Sequence, residues 1–197
     1  MSRYDGADTY VYPGTEVLRN KTDIRDQAAL DAFEADTCAL RMLELVEQPI
    51  QGAFDLKHLC DIHGHLFQDV YDWAGQLRTV DISRGESRFA NFALIENYLG
   101  NKLRGLATEK WLKGLDSEKF TARLAHYMAE INANHPFRDG NGRVQRIFCS
   151  QLAEQAGYFI DFEPVGQAEI YTAMIASFNG NEKPLVALLD RIAAIIE

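Results

Sequence analysis

The residues best suited to chemistry lie close together, in the run from Asn134 to Arg146. His135 could accept a proton from an incoming nucleophile, because a neutral imidazole is a base near neutral pH. Asp139 offers a carboxylate oxygen of the kind that Mg²⁺ binds beside nucleotide phosphates. Phe137 stands between them, and we expect its apolar ring to point inward and anchor the run.

The second half of this run has the composition of an anion site at the start of a helix. Gly140 and Gly142 flank Asn141, and residues without side chains let a ligand approach the backbone closely. The N–H groups at a helix N-terminus bind anions. Arg143 and Arg146 are three residues apart, so their guanidinium groups share a helix face and could hold a di- or triphosphate. A base, a metal ligand and an anion site together indicate transfer of a group from a nucleoside triphosphate.

Each of these features alone has an ordinary structural explanation. A histidine before a proline is often only a hydrogen-bonding residue, Gly-Asn-Gly is usually a turn, and paired arginines often lie on a solvated helix face. Their joint occurrence in one short segment between two periodic helices favours the functional interpretation.

Helical periodicity surrounds the run on both sides. Apolar residues at spacings of three and four predict several helices, which cover Asp26–Glu47, a segment after Asp55, a segment after Asp116, about Asn141 to Gly157, Gln167–Phe178, and a last helix from Pro184. The sequence therefore predicts an all-α, mostly helical fold.

One segment departs from the helical spacing. Thr79–Ile82 and Ser87–Phe92 alternate with a period of two around a polar turn, which is typical of a β-hairpin. An isolated hairpin is marginal in water, so this one should pack on the helices or pair with a strand of another protein. The plain alternative is a connector without a role. As a docking edge it would use Ile82, Ser83, Arg84, Gly85 and Phe89.

Length and composition fit one globular domain. The chain has 197 residues, of which 47% are hydrophobic and 25% charged. We expect residues 1–24 to form an N-terminal arm packed on a single domain of residues 25–197. No run approaches the roughly 18 apolar residues of a membrane span, and the start lacks the apolar core of a signal peptide.

Charge and cysteine content exclude further classes. The 20 Lys and Arg residues against 29 Asp and Glu residues give a net charge of −9, which disfavours direct binding of nucleic acid or of an anionic membrane. Cys38, Cys60 and Cys149 are far apart and odd in number, as expected of reduced, buried thiols in a cytosolic protein.

Three histidines outside the run could suggest a metal site. His63 and His65 are two residues apart on a predicted helix and point in different directions, and His58 has no partner at a zinc spacing. We expect structural roles for all three. The chain also lacks a Walker loop, a Rossmann fingerprint and a Ser-His-Asp order.

The segment His135–Arg146 resembles the Fic-family signature H-x-F-x-[D/E]-G-N-G-R-x-x-R at every specified position. Asp72–Gly75 and Arg78 resemble the run that precedes the Fic hairpin, so the resemblance extends from about Asp55 to Gly157. It implies a helical Fic fold in which the hairpin, roughly Ile82 to Phe92, is a flap that registers a target protein.

The resemblance implies a protein adenylyltransferase, which moves AMP from ATP to a Ser, Thr or Tyr hydroxyl and releases pyrophosphate. On this basis His135 is the general base and Asp139 binds Mg²⁺. The segment Gly140–Gly142 forms the anion hole, including Asn141, while Arg143 and Arg146 hold the β- and γ-phosphates. Kinase-like Doc relatives carry Ala and Lys at places where this chain has glycines, which disfavours that subgroup.

Other functions stay open on the sequence. The same scaffold could transfer UMP or phosphocholine, or remove AMP, because the residues do not identify the base of the nucleotide. A non-catalytic module that binds proteins through the hairpin is a further alternative, although an intact base, metal ligand and arginine pair disfavour it.

The resemblance also bears on regulation. Many Fic proteins carry an inhibitory helix, [S/T]-x-x-x-E-[G/N], whose glutamate pairs with the second motif arginine, here Arg146. Ser150 to Gln155 comes close to this pattern, but Gln155 departs from it. We therefore expect a short bacterial toxin in the cytoplasm, inhibited through Arg146 by a separate small antitoxin. The targets that the resemblance suggests are DNA gyrase and topoisomerase IV.

Overall fold

The computed structural model describes residues 8–85 and 87–196. Seven α-helices lie within them, at Gln27–Glu47 (α1), Leu56–Phe67 (α2), Phe92–Thr108 (α3), Ser117–Asn134 (α4), Asn141–Ala156 (α5), Gln167–Phe178 (α6) and Lys183–Ile192 (α7). Two small antiparallel sheets pair Ser83–Arg84 (β1) with Ser87–Arg88 (β2), and Tyr158–Ile160 (β3) with Ala193–Ile195 (β4). The predicted, mostly helical fold class is confirmed.

Three aspartates set the starts of three predicted helices. Asp26, Asp55 and Asp116 precede α1, α2 and α4, and each carboxylate accepts the backbone N–H three residues further on at 2.9 Å. Such caps satisfy N–H groups that have no acceptor within the helix. The helix starts predicted from these residues are confirmed.

Helices α4 and α5 form the centre of the fold. Helix α4 packs against α3, α5, α6 and α7, and α5 packs against α2, α4 and β3. Their inward residues, including Leu124, Met128, Phe148 and Leu152, have no exposed surface. Tight packing holds both helices firmly, so the short loop between them is held at both ends. No helix in the described ranges is long and apolar enough to cross a membrane.

Helix α3 was not among the predicted helices. Its buried residues Ile95, Leu99 and Leu103 follow helical spacing, but Gly100 and Gly105 interrupt the pattern and weaken helix propensity. The predicted second strand also extended to Phe92, which in fact begins α3 behind the cap Asn91. Propensity and alternation were both misleading in this segment.

The hairpin is shorter than predicted and is displaced along the chain. Among the described residues of this segment, the strand pairs are Ser83 with Arg88 and Arg84 with Ser87, so two residues assigned to the turn form a strand. The predicted strand Thr79–Ile82 is not one, because the backbone of its first two residues is bonded elsewhere. The Ile82 carbonyl still accepts from the Phe89 N–H across the hairpin, at 3.3 Å. The N–H of Thr79 donates to the Tyr10 hydroxyl, and the carbonyl of Val80 accepts from Arg78.

The second sheet corrects the expectation of a single hairpin. Helix α7 ends at Ile192, and the next three residues pair with Tyr158–Ile160. The sequence predicts a last helix from Pro184 and no strand after it, because a short apolar run does not distinguish helix from strand. This sheet joins the end of the described chain to the end of α5.

The described part of the N-terminal arm lies against the domain. The ring of Tyr10 meets Trp73 edge-on at 5.5 Å between centroids, and the N–H of Lys21 donates to the Val70 carbonyl at 2.9 Å. Residues 1–7 of the predicted arm lie outside the described residues. The arm therefore packs beside the segment that leads into the hairpin.

The three cysteines are free thiols, as expected. Cys38 and Cys149 are buried, whereas Cys60 is only partly buried. Burial raises the pKa of the Cys60 thiol to about 11, which disfavours the reactive thiolate. These thiols act as packing residues.

Candidate active site

The loop between α4 and α5, residues 135–140, carries the signature residues and is here termed the motif loop. It begins at His135, which ends α4 in a left-handed conformation with φ of 45°. It ends at Gly140, which precedes α5 with φ of 78°. A left-handed residue other than glycine is strained and persists where its surroundings hold it in place.

Phe137 and Asn141 brace the motif loop from below. Phe137 is completely buried, as expected for an inward-pointing anchor. The side-chain amide of Asn141 accepts from the Phe137 N–H at 2.9 Å and donates to its carbonyl at 2.8 Å. That amide is therefore occupied, which leaves the backbone N–H of Asn141 to contribute to an anion site.

A neutral histidine lies beneath the loop. Nδ1 of His63 accepts from the Gly75 N–H at 2.8 Å, so its proton is on Nε2, which donates to the Asp139 carbonyl at 3.2 Å. Its ring stacks on Phe137 with centroids 4.0 Å apart. Burial lowers the pKa of His63 to about 3, so the ring is uncharged at neutral pH. His63 therefore has the structural role expected of it.

The α2 histidines do not assemble a metal site. His58 lies 3.0 Å from the Ile50 carbonyl, and His65 lies 3.1 Å from a Glu44 carboxylate oxygen. Throughout the described residues, no group of three or more His, Cys, Asp or Glu side chains could hold a metal ion.

His135 presents one free nitrogen. Its Nδ1 lies 3.1 Å from the Asn132 carbonyl, which can only accept, so the proton is on Nδ1 and Nε2 keeps its lone pair. The ring stacks on Phe89 of the flap, with centroids 3.8 Å apart. Burial lowers the pKa of His135 to about 4, so the imidazole is neutral at pH 7. His135 can therefore act as a base.

The two motif arginines differ in their partners. Arg143 lies over the ring of Phe67 and forms an ion pair of 2.5 Å with Glu34 of α1, which also accepts from the Tyr71 hydroxyl. Arg146 has no acidic partner within ion-pair distance in the described chain. Burial and the neighbouring Arg143 lower the pKa of Arg146. A half-buried cation without a counter-charge favours the binding of an anion.

The cavity above the motif loop has a volume of about 500 Å³. It brings together His135, Asp139, the turn Gly140–Gly142 and both motif arginines. The flap contributes Ile82, Ser83, Arg84 and Phe89, whereas Gly85 sits at the hairpin turn outside the lining. Phe137 supports the cavity from below.

Sequence reasoning did not identify two parts of this cavity. Helix α6 forms an apolar wall, with Ile170, Tyr171 and Met174 among its residues. Their spacing indicates a helix but not which surface the helix lines. Gln145 also lines the cavity, and its side-chain oxygen is buried and has no partner among the described residues. A buried acceptor of this kind is costly, so a donor on a bound ligand would stabilise it.

Asp139 has the exposure that a metal ligand requires. It is exposed at the rim of the cavity, and its Oδ1 accepts from the Gly140 N–H at 2.6 Å. The second oxygen projects from the same carboxylate. Mg²⁺ is commonly bound by one or two carboxylates with waters and phosphates, so a single exposed aspartate fits such a site.

Known proteins resemble this chain in the region of the site. The sequence profile described as Fic/DOC family matches residues 53–153. "Protein adenylyltransferase VbhT" from Bartonella schoenbuchensis is 45% identical over 192 residues, which are 97% of this chain and 40% of that protein. "Probable protein adenylyltransferase Fic" from Salmonella typhimurium is 45% identical over 161 residues, which are 82% of this chain and 80% of that protein.

Solved structures match over nearly the whole chain. The N-terminal Fic domain of a Bartonella quintana effector with bound ADP has a TM-score of 0.89 and 29% identity, and the match covers 95% of both chains. BepC from Bartonella tribocorum with bound AMPPNP has a TM-score of 0.87 and 28% identity, and the match covers 95% of this chain and 97% of that one.

Proposed function

Because the chain belongs to the Fic/DOC family, we propose that it is a protein adenylyltransferase that transfers AMP from ATP to a protein hydroxyl. One observation carries the proposal. The lone pair on Nε2 of His135 and the cation of Arg146, which has no acidic partner among the described residues, occur at a single cavity. A base and an anion site at one cavity suit an acceptor hydroxyl and a polyphosphate donor.

The proposed reaction balances without a further reactant. Nε2 of His135 accepts the proton of a Ser, Thr or Tyr hydroxyl, whose oxygen attacks the α-phosphorus of ATP. The bond from the α-phosphorus to the bridging oxygen breaks, and pyrophosphate leaves. Arg143 and Arg146 bind the β- and γ-phosphates. The N–H of Gly140 is bonded to Asp139, so the backbone N–H groups of Asn141 and Gly142 are the ones that we assign to the developing charge.

Asp139 is the residue that would hold Mg²⁺ in this proposal. When bound, the ion would neutralise phosphate charge beside the α- and β-phosphates. The carboxylate of Asp139 is exposed, and the described residues that line the cavity include no second acid. Both features fit an ion that completes its coordination with phosphate and water.

The remaining walls suit a nucleoside and a peptide. The apolar side chains of α6 offer a surface for the adenine ring, and the buried oxygen of Gln145 could accept from a donor on the nucleoside. The flap edge would pair with the main chain of an extended target segment. Ile82, Ser83, Arg84, Gly85 and Phe89 are the flap residues that we assign to this contact.

Our proposal for regulation and cellular role rests on the resemblance to the family. Arg146 is the group that a glutamate of a separate antitoxin chain would occupy, because that arginine has no acidic partner in the described chain. We assign the protein to the bacterial cytoplasm, as one Fic domain of residues 25–197 with an arm of residues 1–24. DNA gyrase and topoisomerase IV are the first targets to test.

The experiment compares ATP labelled at the α-phosphate with ATP labelled at the γ-phosphate. Purified protein is incubated with bacterial lysate, with His135→Ala alongside. We expect a labelled protein band with the α-label only, and no band with the variant. Label from the γ-position would indicate a kinase and would overturn the proposal. No label from either, together with no Mg²⁺-dependent thermal shift by ATP, would favour the non-catalytic binding module.

A further inference from the structure

The side chain of Arg78 is fully buried beneath the flap. Its guanidinium donates to four backbone carbonyls, namely His135 from Nε at 2.8 Å, Val80 from Nη1 at 2.6 Å, and Ala90 and Asn134 from Nη2 at 2.5 and 3.0 Å. An arginine has five N–H donors, so four are used in these bonds.

These carbonyls belong to two different parts of the site. Val80 and Ala90 stand on either side of the hairpin, whereas Asn134 and His135 end α4. The backbone N–H of Arg78 adds a bond to the motif loop, at the Pro136 carbonyl, of 2.9 Å. The side chain and the backbone of Arg78 therefore connect the hairpin to the motif loop, which carries His135.

Burying a cation whose partners are mainly carbonyl groups costs free energy. The nearest carboxylate, that of Asp81, lies 3.7 Å from Nη1, which is beyond hydrogen-bond distance. Burial lowers the pKa of Arg78 to about 10, so the side chain is still a cation at neutral pH. Removing a charge from water is costly unless it is well bonded, and four carbonyls supply those bonds.

We propose that Arg78 is a positioning residue that holds the flap and His135 in one fixed arrangement, so that a hydroxyl registered on the flap meets Nε2 of His135. The Nε bond holds the carbonyl of a residue whose left-handed backbone needs support. The Phe89 ring then lies against the imidazole from the flap side. The proposal rests on the proposed AMP transfer.

Arg78→Lys is the direct test. A lysine has three N–H donors on one nitrogen at the end of its chain, so it can satisfy at most three of the four carbonyls and none from the Nε position. Arg143 and Arg146, which we assign to ATP, have no bond to Arg78. The substitution should therefore lower the transfer rate and leave ATP binding intact.

Three measurements are made on the purified full chain. They are the initial rate of label transfer from α-labelled ATP to bacterial lysate protein, the Kd for ATP with Mg²⁺ by calorimetry, and the ¹⁵N signature of the His135 imidazole by NMR. We expect Arg78→Lys to lower the rate about tenfold to a hundredfold and to change the Kd by less than about twofold. The single Nδ1–H tautomer of His135 should become a mixture.

Two further variants serve as controls. Arg123→Lys breaks a bidentate pair with Glu109, whose two bonds are 2.7 and 2.6 Å, away from the cavity lining. It should lower Tm without changing the rate. Asp81→Asn removes only the distant carboxylate charge, since the four carbonyl acceptors of Arg78 belong to other residues and the new amide oxygen can still accept from the Phe92 N–H. It should keep the rate within about twofold of the unsubstituted protein.

The outcomes separate the possibilities. An unchanged rate or an unchanged tautomer in Arg78→Lys would overturn the proposal, as would an equal loss of rate in Arg123→Lys. A loss in Asp81→Asn equal to that in Arg78→Lys would assign the effect to the ion pair. If Arg78→Lys no longer melts cooperatively, the residue serves the fold as a whole and the proposal fails. If the unsubstituted protein transfers no label, the proposed function has failed, and the imidazole signature still decides the role of Arg78.

Discussion

Gly140 and Gly142 are glycines for different physical reasons, and alanine substitutions should separate them. A Cβ on Gly140 would lie 2.3 Å from two ring carbons of Phe67, and the backbone there has φ of 78°. A Cβ on Gly142 would meet only Nη1 of Arg146, at 3.6 Å, which is ordinary contact. The first glycine serves the fold, and the second serves the cavity.

The two costs at Gly140 can be added. A left-handed residue with a Cβ costs roughly 1–2 kcal/mol, and overpacking a closed site costs about 1–3 kcal/mol. Gly140→Ala should therefore lower the free energy of unfolding by roughly 2–5 kcal/mol. For a domain of this size, that lowers Tm by roughly 4–20 °C. Gly142→Ala lies in the first turn of α5, where alanine gains up to about 1 kcal/mol of helix propensity.

Thermal melts with and without ATP and Mg²⁺ are the assay. Gly140→Ala should melt at a lower temperature than the unsubstituted protein. Gly142→Ala should melt at the same or a higher temperature but gain less from ATP, because its methyl group enters the cavity beside Arg146. Calorimetry should show that Gly142→Ala binds ATP more weakly than the unsubstituted protein does.

A double substitution tests the clash itself. Phe67→Leu removes the ring that the new methyl group would strike, so in that background Gly140→Ala should cost only the backbone strain of roughly 1–2 kcal/mol. An equal cost of Gly140→Ala in both backgrounds would refute the clash. Equal loss of stability in Gly140→Ala and Gly142→Ala would refute the whole distinction.

Three further predictions concern the chemistry. His135→Ala should lower AMP transfer about 10²- to 10⁴-fold with ATP affinity unchanged, and a normal labelling rate would contradict its role as base. Arg146→Ala should weaken ATP binding about tenfold to a hundredfold by calorimetry. The affinity for AMP should not change, because AMP lacks the β- and γ-phosphates. The imidazole of His135 must be neutral to accept a proton. Burial lowers its pKa to about 4, the cations of Arg84 and Arg78 act in the same direction, and the charge of Asp139 opposes them. The rate with saturating ATP should therefore stay level as pH falls from 7 and decline only near 4, whereas a decline centred on the ordinary histidine value of about 6.5 would contradict this.

The motif loop and the helix starts could be predicted because their signals are local. The capping aspartates of α1, α2 and α4 act on N–H groups three residues away, and the signature residues lie within one short segment. The inward position of Phe137 also follows from its place in that segment. Such features depend little on the rest of the fold.

Contacts between distant segments could not be predicted in this way. The pairing of Glu34 with Arg143 joins residues 109 positions apart, and no periodicity indicates it. The hairpin is short because Arg78 and Tyr10 already bond the backbone that alternation assigned to a strand. Only the folded chain makes those backbone groups unavailable.

Some contacts around the cavity join residues that are far apart along the chain, and this affects when the protein becomes active. Asp8 pairs with Arg138, 130 residues later, at 2.7 Å, and the ring of Phe89 meets Phe178 edge-on at 5.7 Å. Contacts so far apart close slowly, after local helices have formed. During refolding, the circular dichroism signal of the helices should therefore recover before the cavity forms. A ribosome must have released α6 before the site is complete, so the site stays inactive for some time after the motif loop itself has been synthesised.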